Sequence, residues 1–262
     1  MTTPEEDLWF WQQNVNYATE ITRAINEHVT KATPTRKALE PFQNRIRCAL
    51  DSLRTLHGNA RHDFRPDGMT LLRAMYDAHL QALYILADQK EADARAQLFI
   101  DFRWIEQRRM QELLERNPTR FAKTLFESPK RAEGEAVREA NYQKLRLKYL
   151  TKKGKDRADW YPGTLRELAE AVGLESEYEI LQRLLSGAVH SSPSALLVGP
   201  AFSDAEHVLL VGWRIMFRVL GRIAEHHGVE LTDEMRQEVR DSMRNLFDQV
   251  SPPSGRGGCP PT

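Results

Sequence analysis

Two cysteines in 262 residues, Cys48 and Cys259, cannot build a disulfide framework, and that usage fits a reducing compartment. No run approaches the roughly 18 apolar residues that suggest a membrane span. The acidic start Met1-Thr2-Thr3-Pro4-Glu5-Glu6-Asp7 lacks the basic-then-apolar order of a signal peptide, so a cytoplasmic location is expected. An excess of one charge is missing too: 37 basic residues balance 37 acidic ones, which argues against nonspecific coating of nucleic acid. There is no Gly-rich loop followed by Lys-Ser/Thr and no GxGxxG, which removes the common nucleotide-binding signatures. HExxH, Glu-x-x-His pairs, and the serine-hydrolase and cysteine-nucleophile patterns are also absent. No resident metal or cofactor is expected. His57 and His62 with Asp63, or His226 with His227, are the remaining ligand candidates, but surface histidines at loops and helix ends account for them.

What is present is helical periodicity along nearly the whole chain, with almost no strand alternation. Thr3-Pro4-Glu5-Glu6 has the order of an N-cap, a first-turn proline and a capping-box glutamate. The helix it opens carries Leu8, Trp9, Trp11 and Val15 and stops before Pro34. Phe42, Ile46, Ala49, Leu50, Leu53 and Leu56 mark a second helix ending at Gly58. Leu72, Met75, Tyr76, His79, Leu83 and Leu86 mark a third, and Leu98, Phe102, Ile105, Met110 and Leu113 a fourth, ending near Pro118. Residues 120–150 are helical but highly charged, and 151–162 form the main internal loop. Thr164 with Glu167 caps a short helix closed by Gly173, and a further helix spans Glu175 to about Val189. Ser203 with Glu206 opens a long helix to Gly228, and Thr232 opens the last, through Met243, Leu246 and Phe247. The expected fold is an all-α bundle of about eight to ten helices. It forms one domain over 1–250, with N-terminal helices to residue 66 and a core from 67. The Pro/Gly-rich stretch 251–262 is expected to be disordered.

Polar residues interrupt this pattern in three places. Between Asn141 and Arg157, seven cations (Lys144, Arg146, Lys148, Lys152, Lys153, Lys155 and Arg157) face one acid, Asp156, in a patch able to hold phosphates or simply a solvated surface. On the third helix, Arg73 with Asp77 one turn on and Tyr76 beside it forms either a bundle-edge ion pair or part of a site. On the helix from Glu175, Arg183, Ser186 and His190 follow one another at three and four residues, which aligns a guanidinium, a hydroxyl and an imidazole along one stripe. Arg183 pairs with Glu179 and His190 caps the helix if the stripe is only structural.

Arg183 and His190, with six residues between them, resemble the Arg-x(4–6)-His motif of the HEPN superfamily of helical proteins. More narrowly, Leu72 to Asp77, Tyr84-Ile85-Leu86, Trp160, Tyr178, Ser186 and His190-Ser191-Ser192 are similar to a bacterial domain-of-unknown-function family, number 5677. The similarity spans roughly Met69 to His227 and departs at Asp77, where the family pattern leads to glutamate. The resemblance implies a bundle that dimerises with its Arg/His motifs facing each other. Catalytic members cut RNA without a metal; others bind nucleotides or pair with toxin or defence partners. On that footing His190 is the expected general base, Arg183 the phosphate stabiliser and Ser186 an orienting hydroxyl. Arg73, Asp77, Tyr76, Lys152, Lys153 and Lys155 are the expected binding residues.

Overall fold

Helix-start and helix-stop residues set the order of elements. The computed structural model describes residues 4–57, 64–117, 129–151, 153–189 and 205–244. These form α1 (Pro4–His28), α2 (Pro34–His57), α3 (Phe64–Leu86), α4 (Ala92–Arg116), α5 (Pro129–Leu145), a 3-10 turn (Arg146–Tyr149), α6 (Leu165–Ala171), α7 (Glu175–Val189), α8 (Ala205–His227) and α9 (Asp233–Met243). Among the described residues there is no strand, only an isolated bridge between Leu150 and Asp156, and the chain is all-α as expected. No described helix is long and apolar enough to cross a membrane.

The punctuation acts through backbone groups. Gly173 takes a φ of 73°; its N–H donates to the Glu170 carbonyl at 3.0 Å and that of Leu174 reaches back to Ala169 at 2.7 Å, which satisfies the free carbonyls ending α6. Thr232 opens α9 by accepting from the Met235 N–H at 3.3 Å, a cap worth about 1 kcal/mol. One proline is not a boundary: Pro41 lies inside α2, on its exposed side, and cannot donate to the carbonyl four residues back.

The described residues fall into two compact units. The first is drawn from 1–32, 39–89 and 165–262. Its centre is α3, packed on α6, α7 and α8, while α1 and α9 pack on α8. Leu72, Met75 and Ile85 of α3, Leu181 and Leu185 of α7, and Ile215, Val219 and Leu220 of α8 are wholly buried. Each such side chain contributes about 1.5–3 kcal/mol of burial. Gly221 lets α8 and α9 meet closely, because a Cβ there would strike Val239.

The second unit is drawn from 33–38 and 90–164. Here α4 packs on α5, and the 3-10 turn inserts Tyr149, whose hydroxyl donates to the Leu98 carbonyl at 2.7 Å. Asp93 accepts from both the N–H and the hydroxyl of Thr35, at 3.1 and 2.6 Å. Trp9, Met110 and Leu113, expected to mark apolar stripes, are instead 66, 55 and 55 % exposed. Periodicity tells which face a helix would bury, not how far its neighbour reaches: on α4 only Ala92, Ala96, Phe102 and Ile105 are buried. The expected tail, His62, Asp63, Lys152 and His190 lie outside the described residues.

Candidate functional site

Tyr178, Gln182 and Ser186 recur every four residues on α7 and form a polar stripe beside the buried Leu181 and Leu185. Arg73 and Asp77 sit one turn apart on α3. The Arg73 Nε donates to both Asp77 oxygens, at 2.9 and 3.1 Å, and its Nη1 donates to Ser186 Oγ at 2.9 Å. The pair is therefore a bridge between helices rather than an isolated edge pair, with side chains only 19 and 27 % exposed. Burial raises the Asp77 carboxyl above its ordinary range, while Arg73 and Arg45 pull it back. The Tyr178 phenol is raised by burial, lowered by Arg73 and raised by Asp77. Gln182 Oε1 is buried with no donor among the described residues.

Arg183 does not share this seam. It is exposed and has no hydrogen-bond or ion-pair partner among the described residues. The structural partner open to it, Glu179, is held instead by Arg166 at 2.8 Å, which also takes Glu175 at 2.8 Å. So the stripe divides: Ser186 is in the seam with Arg73, and Arg183 is on the solvent side one turn away. His190 directly follows Val189, the last residue of α7, and is outside the described residues.

The expected lysines among the described residues belong to the second unit. Lys153 and Lys155 are exposed on a tight loop of the second unit, closed by the Thr151 N–H donating to the Lys155 carbonyl at 2.7 Å. Among the described residues three of the seven cations counted in that stretch are already engaged: Arg146 with Asp156 at 3.3 Å, Lys148 with Asp101 of α4 at 3.8 Å, and Arg157, whose Nε donates to the Leu150 carbonyl at 3.3 Å. Among the described residues no group of three or more His, Cys, Asp or Glu gathers as metal ligands.

Tyr76 faces the core and meets a cluster that the sequence did not single out. Glu177 and Arg218, 0 and 2 % exposed, pair twice, at 2.9 and 3.2 Å. Arg218 also donates to the Ser242 and Arg244 carbonyls, at 3.0 and 2.9 Å, and so ties α7, α8 and the end of α9 together. Burial, then Glu177, raises the Tyr76 phenol far above its usual value. The signal available was Arg218 within the apolar run Ile215-Met216-Phe217-Arg218-Val219-Leu220. Glu177 offered none, since an acid in a first helical turn is ordinary at a surface.

His79 is wholly buried beside Tyr76, and neither ring nitrogen has a hydrogen-bond partner among the described residues. Burial, then the nearby Arg218, holds its pKa well below 6.5. The unfolded chain therefore takes up a proton near pH 6.5 that the folded chain refuses, so stability falls as pH drops through that value. Wild type should lose up to about 1.4 kcal/mol per pH unit relative to His79→Leu between about pH 6.5 and 5. Urea unfolding of both proteins across that range measures it; a difference that stays flat with pH would mean His79 is solvated or partnered. The comparison cancels the opposite contribution of Asp77, whose raised carboxyl pKa works against the charged form.

No curated protein and no solved structure matched the chain. A family model does match, over residues 44–203, a stretch that holds Arg73, Asp77, Arg183, Ser186 and His190 but not Arg218. Since the match covers more than half of the sequence, the chain belongs to this family, described as a family of unknown function (DUF5677).

Proposed function

We propose that the protein is a metal-independent endoribonuclease of HEPN type, acting as a homodimer in a toxin or defence role. The observation that carries this reading is Arg183, an exposed guanidinium without an acid partner among the described residues, although Glu179 stands one turn before it. One turn further on, Ser186 is held by Arg73, itself fixed by Asp77. Arg183 is thus available to an external anion, on a helix whose inner stripe is locked.

In the proposed reaction a neutral His190 imidazole takes the proton from a ribose 2′-hydroxyl. The 2′ oxygen bonds to phosphorus, and Arg183 stabilises the charge on the pentacoordinate phosphate. The bond from phosphorus to the 5′ oxygen then breaks and that oxygen takes up a proton, leaving a 2′,3′-cyclic phosphate and a 5′-hydroxyl.

A second reading, a non-catalytic interaction or RNA- or nucleotide-binding protein using the same residues, is favoured by the engagement of Arg146 and Lys148 with acids, which weakens the phosphate patch. Purified protein incubated with mixed-sequence RNA separates the two. Cleavage with cyclic-phosphate ends, unchanged by EDTA, is the expected result. RNA that stays intact while the protein retains it favours the second reading, and EDTA-sensitive cleavage would overturn both.

A further inference from the structure

A cleft of about 580 Å³ opens between α1, α2 and α8, away from the α3–α7 seam. Its volume is in the range of small-molecule sites. Leu50, Trp213, Met216 and Leu220 are among its apolar lining. Its α1 and α8 lining lies outside the matched stretch 44–203, whereas Asn44, Arg47, Leu50 and Asp51 of α2 lie within it.

The rim charges are what give the cleft a chemistry. Arg23 and Glu27 neutralise each other at 3.1 Å. Arg47 and Asp51 do not, although they are one turn apart on α2; the only described side-chain contact of Arg47 is Asn44 Oδ1, at 3.4 Å. Arg54, the other arginine within reach of Asp51 on α2, lies over the Trp11 ring instead, 5.2 Å from its centroid. One cation and one anion therefore flank Leu50 of the apolar lining, each without an ion-pair partner among the described residues. A purely anionic ligand would gain from Arg47 and be opposed by Asp51; a zwitterion with an apolar body satisfies all three elements.

We propose that this cleft binds a free α-amino acid with an apolar side chain, its carboxylate on Arg47, its ammonium on Asp51 and its side chain against Leu50, Trp213 and Met216. Charge-assisted hydrogen bonds of this kind are each worth about ten-fold or more in affinity.

Calorimetric titration of the full chain with L-leucine and L-phenylalanine tests this. Saturable binding is expected, with N-acetyl-leucine and leucinamide each at least about ten-fold weaker, since each lacks one of the two charges. Arg47→Gln and Asp51→Asn are on an exposed surface and should keep the fold, checked by circular dichroism. In Arg47→Gln, leucine should bind no better than leucinamide; in Asp51→Asn, no better than N-acetyl-leucine. The proposal is overturned if neither amino acid binds saturably, if adenosine monophosphate binds in their place, or if both variants bind leucine as wild type does. None of these outcomes depends on whether the protein cleaves RNA.

Discussion

Replacing Arg183 with alanine should lower RNA cleavage by about 10²–10³-fold, the usual loss when one stabilising donor is removed from a charged transition state. His190→Ala should lower it by about 10²–10⁴-fold, the range for a general base. For Arg183 the fold makes the experiment clean. Its side chain is exposed and has no partner among the described residues, so Arg183→Ala should melt at the wild-type temperature. Arg73 is different. It holds Asp77 and Ser186 across two helices, so Arg73→Met should reduce both stability and cleavage. Assays of the variants under single-turnover conditions, each checked for folding, separate chemistry from structure. Cleavage that survives Arg183→Ala and His190→Ala in folded protein would remove both residues from the mechanism.

Glu177→Gln should destabilise the first unit by about 3–5 kcal/mol, because it leaves the Arg218 guanidinium buried without its counter-charge. Arg218→Met should cost a similar amount, since it strands the carboxylate and also frees the Ser242 and Arg244 carbonyls. The double replacement Glu177→Leu with Arg218→Met is the informative one. It removes both charges together and should cost far less than the two single losses added, because neither ion is then left alone. Urea unfolding of the three variants measures the coupling. Single losses below about 1 kcal/mol would show that water reaches the pair, and the picture of a sealed ionic tie would fail.

The helices were legible because their signals are local. Pro4, Gly173, Gly228 and Thr232 act on backbone groups within one turn, and each stands at the helix boundary its type predicts. Pro41 is the exception, a proline inside α2 on its exposed side. Stripe membership was less legible. Arg183 and Ser186 are about 60° apart around an ideal helix, close enough to share a face on paper. That separation puts one in the α3–α7 seam and the other in solvent, according to where α3 lies.

Charge was the least readable property. Seven cations against one acid was a correct count for residues 141–157, but Asp101, remote in sequence, engages one of those cations. Likewise, an arginine in the α8 apolar run and a first-turn glutamate on α7 gave no sign of meeting each other, forty-one residues apart. An all-α architecture, the helix boundaries and the presence of a polar stripe on α7 follow from the amino-acid order, because propensity, capping and periodicity act over a few residues. Which charges are neutralised, which arginine is buried and which one is left facing solvent were decided by packing, because an ion's partner is whatever lies within about 4 Å in space.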